Sequence, residues 1–79
     1  MKLSNFRLDK TEGNSALNKV FFASVDVEEG ALFWKKTERR NICRRYTGNW
    51  YFVDSGEFTP EMQAERLARA WFANTGQEV

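Results

Sequence analysis

The chain has 79 residues and a net charge of +1, with twelve Lys and Arg against eleven Asp and Glu, no histidine and a single cysteine, Cys43. That length makes one small domain and excludes a second, and the near-neutral balance disfavours a protein that coats nucleic acid indiscriminately. Without histidine the commonest general base and metal ligand are gone, and one cysteine supplies neither an intramolecular disulfide nor a structural zinc site; metal hydrolases and serine or cysteine triads are therefore strongly disfavoured, and a reducing, cytoplasmic setting is expected.

In chain order, residues 1–18 form a weakly patterned N-terminal segment: a short stretch at 3–8, then a polar, turn-rich loop from Asp9 to Ser15. Residues 19–54 read as a β-meander. From Lys19 to Val27 the pattern alternates, with Phe21, Ala23, Val25 and Val27 on one face and Ser24, Asp26 and Glu28 on the other, Phe22 being the exception. Glu28-Glu29-Gly30 supplies a turn residue able to take positive φ, so a hairpin into a strand from Ala31 to about Tyr46 is expected. In that strand Leu32, Trp34, Ile42 and Tyr46 share a parity broken by Lys36, Glu38 and Arg40, and a bulge or bend near Thr37–Arg40 that resets the facing is expected. Tyr46-Thr47-Gly48-Asn49 reads as the next turn. Trp50 to Asp54 reads as a further strand with apolar residues on both faces, which points to a central strand or to a second face that something else covers.

Residues 59–75 carry the clearest local signal. Thr59-Pro60 places a hydroxyl at N-cap and proline at N1, Glu61 adds negative charge to the first turn, and Gly76 stands ready to end the helix. Ala64, Leu67, Ala68 and Trp71 make an apolar stripe over Pro60–Asn74, small alanines at 64, 68 and 70 favour close approach to the sheet, and Glu65 and Arg69 stand i,i+4. The expected fold is α+β: an antiparallel three- to four-stranded meander with one C-terminal helix packed on one face.

The stretch from Leu32 to Phe52 is the candidate site. An aromatic pair, Phe33 and Trp34, runs into Lys35, Lys36, Arg39, Arg40, Arg44 and Arg45, half of the chain's cations, and then into Trp50, Tyr51 and Phe52. Three readings compete. Aromatics and arginines are the enriched anchors of protein interfaces; alternate cations on a strand beside stacking rings suit nucleic-acid phosphates and bases; and a row of Lys and Arg also solvates and protects an edge. Twelve Phe, Trp and Tyr residues exceed what one sheet and one helix are expected to bury, which favours a contact surface or self-association.

The preferred reading is a non-enzymatic protein-binding module whose contact residues are Trp34, Lys36, Arg39, Arg40, Arg44, Arg45, Tyr46 and Trp50. The alternative is a nucleic-acid module using residues 35–45 on phosphates. No cofactor or metal is expected. Asp54 with Glu57 is a conceivable carboxylate pair and Cys43, flanked by Ile42 and Arg44, a conceivable nucleophile, but Asp54-Ser55-Gly56-Glu57 has the composition of a turn. No apolar run approaches the roughly 20 residues that span a bilayer, and residues 1–7 lack the pattern of a signal peptide, so a soluble, unprocessed chain is expected.

Two segments, Phe33-Trp34-Lys35-Lys36-Thr37 and Phe52-Val53-Asp54-Ser55-Gly56-Glu57-Phe58-Thr59-Pro60, resemble segments of small uncharacterised bacteriophage or prophage proteins. The resemblance implies a phage-related origin and carries no functional residues. In outline, a three-stranded sheet with a C-terminal helix is also similar to the arm-binding domains of phage-type recombinases, which read DNA with the sheet; fold-level likeness of this kind does not assign function.

Overall fold

The computed structural model describes residues 1–13, 15, 18–31, 33–45, 48–60 and 62–76. Four strands, β1 (Lys2–Glu12), β2 (Val20–Ala31), β3 (Trp34–Arg45) and β4 (Tyr51–Phe52), form one antiparallel sheet in sequential order, and a single helix, α1 (Gln63–Thr75), follows. The α+β meander read from the pattern is the fold.

The β2–β3 ladder is its spine. Pairing runs without a shift from Val20↔Arg45 to Ala31↔Trp34, so the bulge expected near Thr37–Arg40 does not exist. The apolar period of β3 fails for another reason: its first half extends beyond the core. Trp34 does share the face of Ile42, yet every residue from Trp34 to Arg39 is exposed. The turn is also displaced. Glu28, Glu29 and Gly30 are paired strand residues, opposite Thr37, Lys36 and Lys35, and the chain reverses between Ala31 and Trp34. Gly30 is required there on two counts: its φ is +134°, and a Cβ at this position would run into the backbone carbonyl of Trp34 across the ladder. The expected turn at residues 46–49 lies partly outside the described residues, as do Leu32, Tyr46 and Glu61; its end is fixed by the Gly48 N–H donating to the Arg45 carbonyl at 2.9 Å.

The N-terminal segment is a full edge strand rather than a weakly patterned stretch and loop. Two register shifts, between Ser4 and Arg7 and between Leu8 and Lys10, hide its alternation. At the first, Asn5 takes φ 52°, a left-handed conformation that asparagine tolerates, and the inward parity moves from Leu3 to Phe6 and Leu8. β4 is likewise an edge strand, not a central one, and it pairs with β3 only at Ile42 and Cys43. Its other side folds back on the chain: Tyr51 bridges to Phe58, and the Phe52 N–H donates to the Glu57 carbonyl at 2.8 Å.

That return explains why α1 starts at Gln63 and not at Pro60. The Thr59 N–H and hydroxyl both donate to the Trp50 carbonyl, at 2.9 and 3.1 Å, so Thr59 belongs to the segment that returns along β4 and is no N-cap. Met62, with φ 70°, precedes the helix without a side-chain cap, and Gly76 ends it with φ 72°. Gln63 ties the helix start to the edge strand: its Oε1 accepts from the Leu3 N–H at 3.0 Å and its Nε2 donates to the Met1 carbonyl at 3.2 Å. The buried stripe of α1 is Ala64, Ala68 and Phe72, with Leu67 and Trp71 half-buried at its flanks and Ala70 exposed. The expected stripe is thus rotated towards Phe72, which meets Phe21 edge-on at 5.8 Å, while Trp50 and Trp71 both pack against Phe6.

Val25, Ile42 and Trp50 are wholly buried between sheet and helix. β1 pairs with β2 only as far as Lys2↔Glu28, so beyond Glu28 the β2–β3 hairpin continues as a two-stranded arm, and the molecule measures 47 × 27 × 19 Å. Substituting Gly30→Ala should cost about 1–3 kcal/mol through strain near the end of that arm, measured by urea unfolding; wild-type stability in the variant would contradict the close approach of Gly30 to Trp34.

Candidate functional site

The unbroken register gives every residue of β3 a face. Even-numbered residues point to the helix side with Ile42, and odd-numbered residues point to the open side with Cys43. The basic run is therefore divided between two faces, and the expected single surface is not assembled from Trp34, Lys36, Arg39, Arg40, Arg44, Arg45 and Trp50, Tyr46 lying outside the described residues.

On the helix side, Arg44 and Arg40 border the core. Arg44 Nη1 lies 3.7 Å from Glu65 Oε2. Arg40 lays its guanidinium over the Phe52 ring, 3.9 Å from the centroid, and donates to Asp54 Oδ1 at 2.7 Å. Arg40 holds the Asp54 carboxyl below its ordinary pKa, and Asp54 in turn raises that of Arg40. On the open side, Arg39 donates to Asp26 Oδ1 at 3.2 Å, to Ser24 Oγ at 2.8 Å and to the Asn5 carbonyl, while Lys35 pairs with Glu28 at 3.2 Å. Asp26 is held below its usual pKa, first by the Asn5 side-chain amide and then by Arg39. These are intramolecular fittings that spend the charge of Lys35, Arg39, Arg40 and Arg44 within the fold. Lys36 and Arg45 have no ion-pair partner among the described residues, and they sit near opposite ends of β3.

Trp50 is not a contact residue. It is wholly buried, with its indole N–H donating to Glu65 Oε2 at 3.2 Å and its backbone N–H to Asn49 Oδ1 at 2.9 Å. Burial follows from its parity with Phe52 on the helix side. Glu65, expected only as the partner of Arg69 on the outside of the helix, does make that contact at 3.3 Å, but it also joins Trp50 and Arg44 and so clamps α1 to the end of β3. No spacing in the sequence relates residues 44, 50 and 65, so this cluster was not readable from the chain.

The 54–57 segment is a turn, and its Asp54 carboxylate is committed to Arg40. The Gly56 N–H donates to the Phe52 carbonyl at 2.8 Å and the Glu57 N–H to Ser55 Oγ at 3.3 Å, and the lowered pKa of Asp54 is opposite to what a general acid requires. Cys43 is buried on the open side between its cross-strand neighbours Phe22 and Tyr51; the adjacent thiol, and then burial, raise the pKa of Tyr51. A shallow cleft of about 410 Å³ lies beside Tyr51, lined by Arg45, Gly48, Asn49, Gly56 and Phe58. Among the described residues, no group of three or more His, Cys, Asp or Glu is placed to hold a metal ion, and no helix is long and apolar enough to cross a membrane.

What stands free is the end of the arm. Phe33 is 96% and Trp34 66% exposed, with Lys35, Lys36 and Glu38 beside them. Nothing local in the sequence marks Phe33 and Trp34 as rings that the core leaves outside, and Phe58, 69% exposed beside β4, shares that exposure. No protein-family model, curated protein or solved structure matches the chain significantly.

Two tests follow from these fittings. Glu65→Ala should destabilise the fold by about 1–3 kcal/mol by leaving the buried Trp50 indole N–H without an acceptor, and Glu65→Gln, which keeps an acceptor oxygen, should cost less; thermal unfolding of both variants reads the difference. The lowered folded-state pKa values of Asp26 and Asp54 add stability that is present above the ordinary carboxylate range, near about pH 4, and lost as pH falls through the lowered values. Urea midpoints followed down the acid limb should accordingly fall less steeply for an Asp26→Asn, Asp54→Asn double variant than for wild type.

Proposed function

We propose that this protein is a non-enzymatic protein-binding module whose contact surface is the end of the β2–β3 arm. One observation carries the reading: Phe33 and Trp34 are exposed on a two-stranded extension that contributes nothing to the core. Exposing two large rings to water costs roughly 1.5–3 kcal/mol each relative to burial, and aromatic residues ringed by charge are the usual anchors of protein contacts. Lys36 and Glu38 rim the pair and supply orientation rather than affinity. The phosphate-binding alternative loses support from the ion pairs, because Arg39, Arg40 and Arg44 already have carboxylate partners and an anionic backbone would have to displace them.

The test compares wild type with a Phe33→Ser, Trp34→Ala variant and with Arg45→Ala. All three should unfold at similar midpoints, since exposed substitutions usually shift stability by no more than about 0.5 kcal/mol. Used as baits in the same bacterial lysate at moderate salt, wild type and Arg45→Ala should retain the same proteins, quantified by mass spectrometry, and the arm variant should lose them. Capture indifferent to the arm would overturn the proposal. Salt-steep binding to DNA duplexes or single strands by fluorescence anisotropy, lost on Lys36→Ala, Arg45→Ala, would replace it with the phosphate reading.

A further inference from the structure

The outer side of the arm carries a second feature. β4 pairs with β3 at Ile42 and Cys43, and the last contact along that lane is the Val53 N–H donating to the Asn41 carbonyl at 3.0 Å. Because the Asn41 carbonyl points outward, alternation along the strand turns the N–H and C=O groups of Lys35, Thr37 and Arg39 outward as well. Among the described residues nothing pairs with them. The stretch Trp34–Arg40 is thus an open sheet edge, bounded by the end of the hairpin on one side and by Val53 on the other, and an open edge is a template for another strand.

We propose that the occupant is a second copy of the same edge, paired antiparallel about a two-fold axis at Thr37. The inference rests on the reading of the arm as a contact surface and names its partner. With Thr37 opposite Thr37 of the other copy, Lys36 falls opposite Glu38 and Glu38 opposite Lys36. These are non-hydrogen-bonded pairs, in which facing side chains approach most closely. Neither Lys36 nor Glu38 has an ion-pair partner within the chain among the described residues, and both are exposed on the helix side of the strand. In the same register Trp34 lies opposite Arg40, whose guanidinium already stacks on Phe52, so the exposed indole meets a cation. On the open side Lys35 falls opposite Arg39, but each carries its own carboxylate, Glu28 and Asp26 at 3.2 Å, and the like charges meet already neutralised.

Neighbouring registers lack this match. An axis at Lys36 sets lysine against lysine, an axis at Glu38 sets glutamate against glutamate and Lys36 against Arg40, and axes at Lys35 or Arg39 lie so close to the turn or to Val53 that only three residues of each copy could pair. The lane also ends where this register needs it to end: Arg40 is the last β3 residue before the position that Val53 occupies, and Trp34 is the first residue after the turn. The product is one continuous eight-stranded sheet with a helix at each end of the same face. Its interface is small, so the dimer is concentration-dependent.

Sedimentation equilibrium of the whole chain over a concentration series tests this. Wild type should show a monomer–dimer equilibrium, Lys36→Glu and Glu38→Lys should each weaken it by roughly tenfold or more, and the swapped Lys36→Glu, Glu38→Lys variant should recover most of the loss. A wild-type monomer at every concentration would overturn the inference, as would a dimer indifferent to the single charge reversals or a swap that fails to recover. The arm-dependent lysate capture separates this failure from that of the broader reading: a monomer whose captured proteins are lost with Phe33 and Trp34 contradicts only the second copy, whereas a monomer with arm-independent capture contradicts both.

Discussion

Everything in this molecule depends on the unshifted ladder between β2 and β3. Because no bulge interrupts it, each residue of β3 keeps the face that its parity assigns from Trp34 to Arg45. The consequence is a partition. Ile42, Arg44 and Arg40 turn towards the helix, Cys43 and Arg39 turn away, and a run of cations that looks continuous in one dimension becomes two separate sets of ion pairs in three.

The core responds to the same constraint. Parity across the β3–β4 pair puts Trp50 and Phe52 on the helix side, and the wholly buried indole needs an acceptor for its N–H. Glu65 supplies it while also meeting Arg44 and Arg69, so one carboxylate joins helix, β3 and the entry to β4. At the opposite edge Gln63 plays the corresponding part for β1, its side-chain amide taking the place of a strand partner for Met1 and Leu3. The helix is held at both sheet edges by its first turn, which compensates for the absence of a side-chain N-cap.

Beyond this core the hairpin continues where neither neighbouring strand follows. A two-stranded ribbon is stable only marginally on its own, and here it is continuous with a packed sheet, with Gly30 allowing the close approach of the two strands near its end. The extension leaves Phe33 and Trp34 in water and the outer backbone of Trp34–Arg40 open. Such an edge is normally blunted by charge; in this one, the acid between the cations is placed so that a two-fold partner would turn the blunting charges into complementary ones.

The amino-acid sequence by itself determined the α+β class, the inward residues of β2, the presence and end of the helix, and the turn at Asp54–Glu57, because each rests on a local period or on the conformational preference of single residues such as Gly76. β1 was not legible, since its two register shifts, one at Asn5, move the inward parity, and a shift is seen only against a partner strand. The helix start was misplaced because Thr59 has the right chemistry for a cap but is committed to the Trp50 carbonyl nine residues earlier. Within the candidate site, Trp34 is legible as an aromatic beside the cations, whereas the burial of Trp50, the ion pairs of Arg40 and Arg44 at the core border and the place of Arg39 on the opposite face are not. Tertiary structure alone decided which cations are already paired and which aromatic rings lie outside the core, because both depend on distances between segments that only the folded sheet and helix bring together.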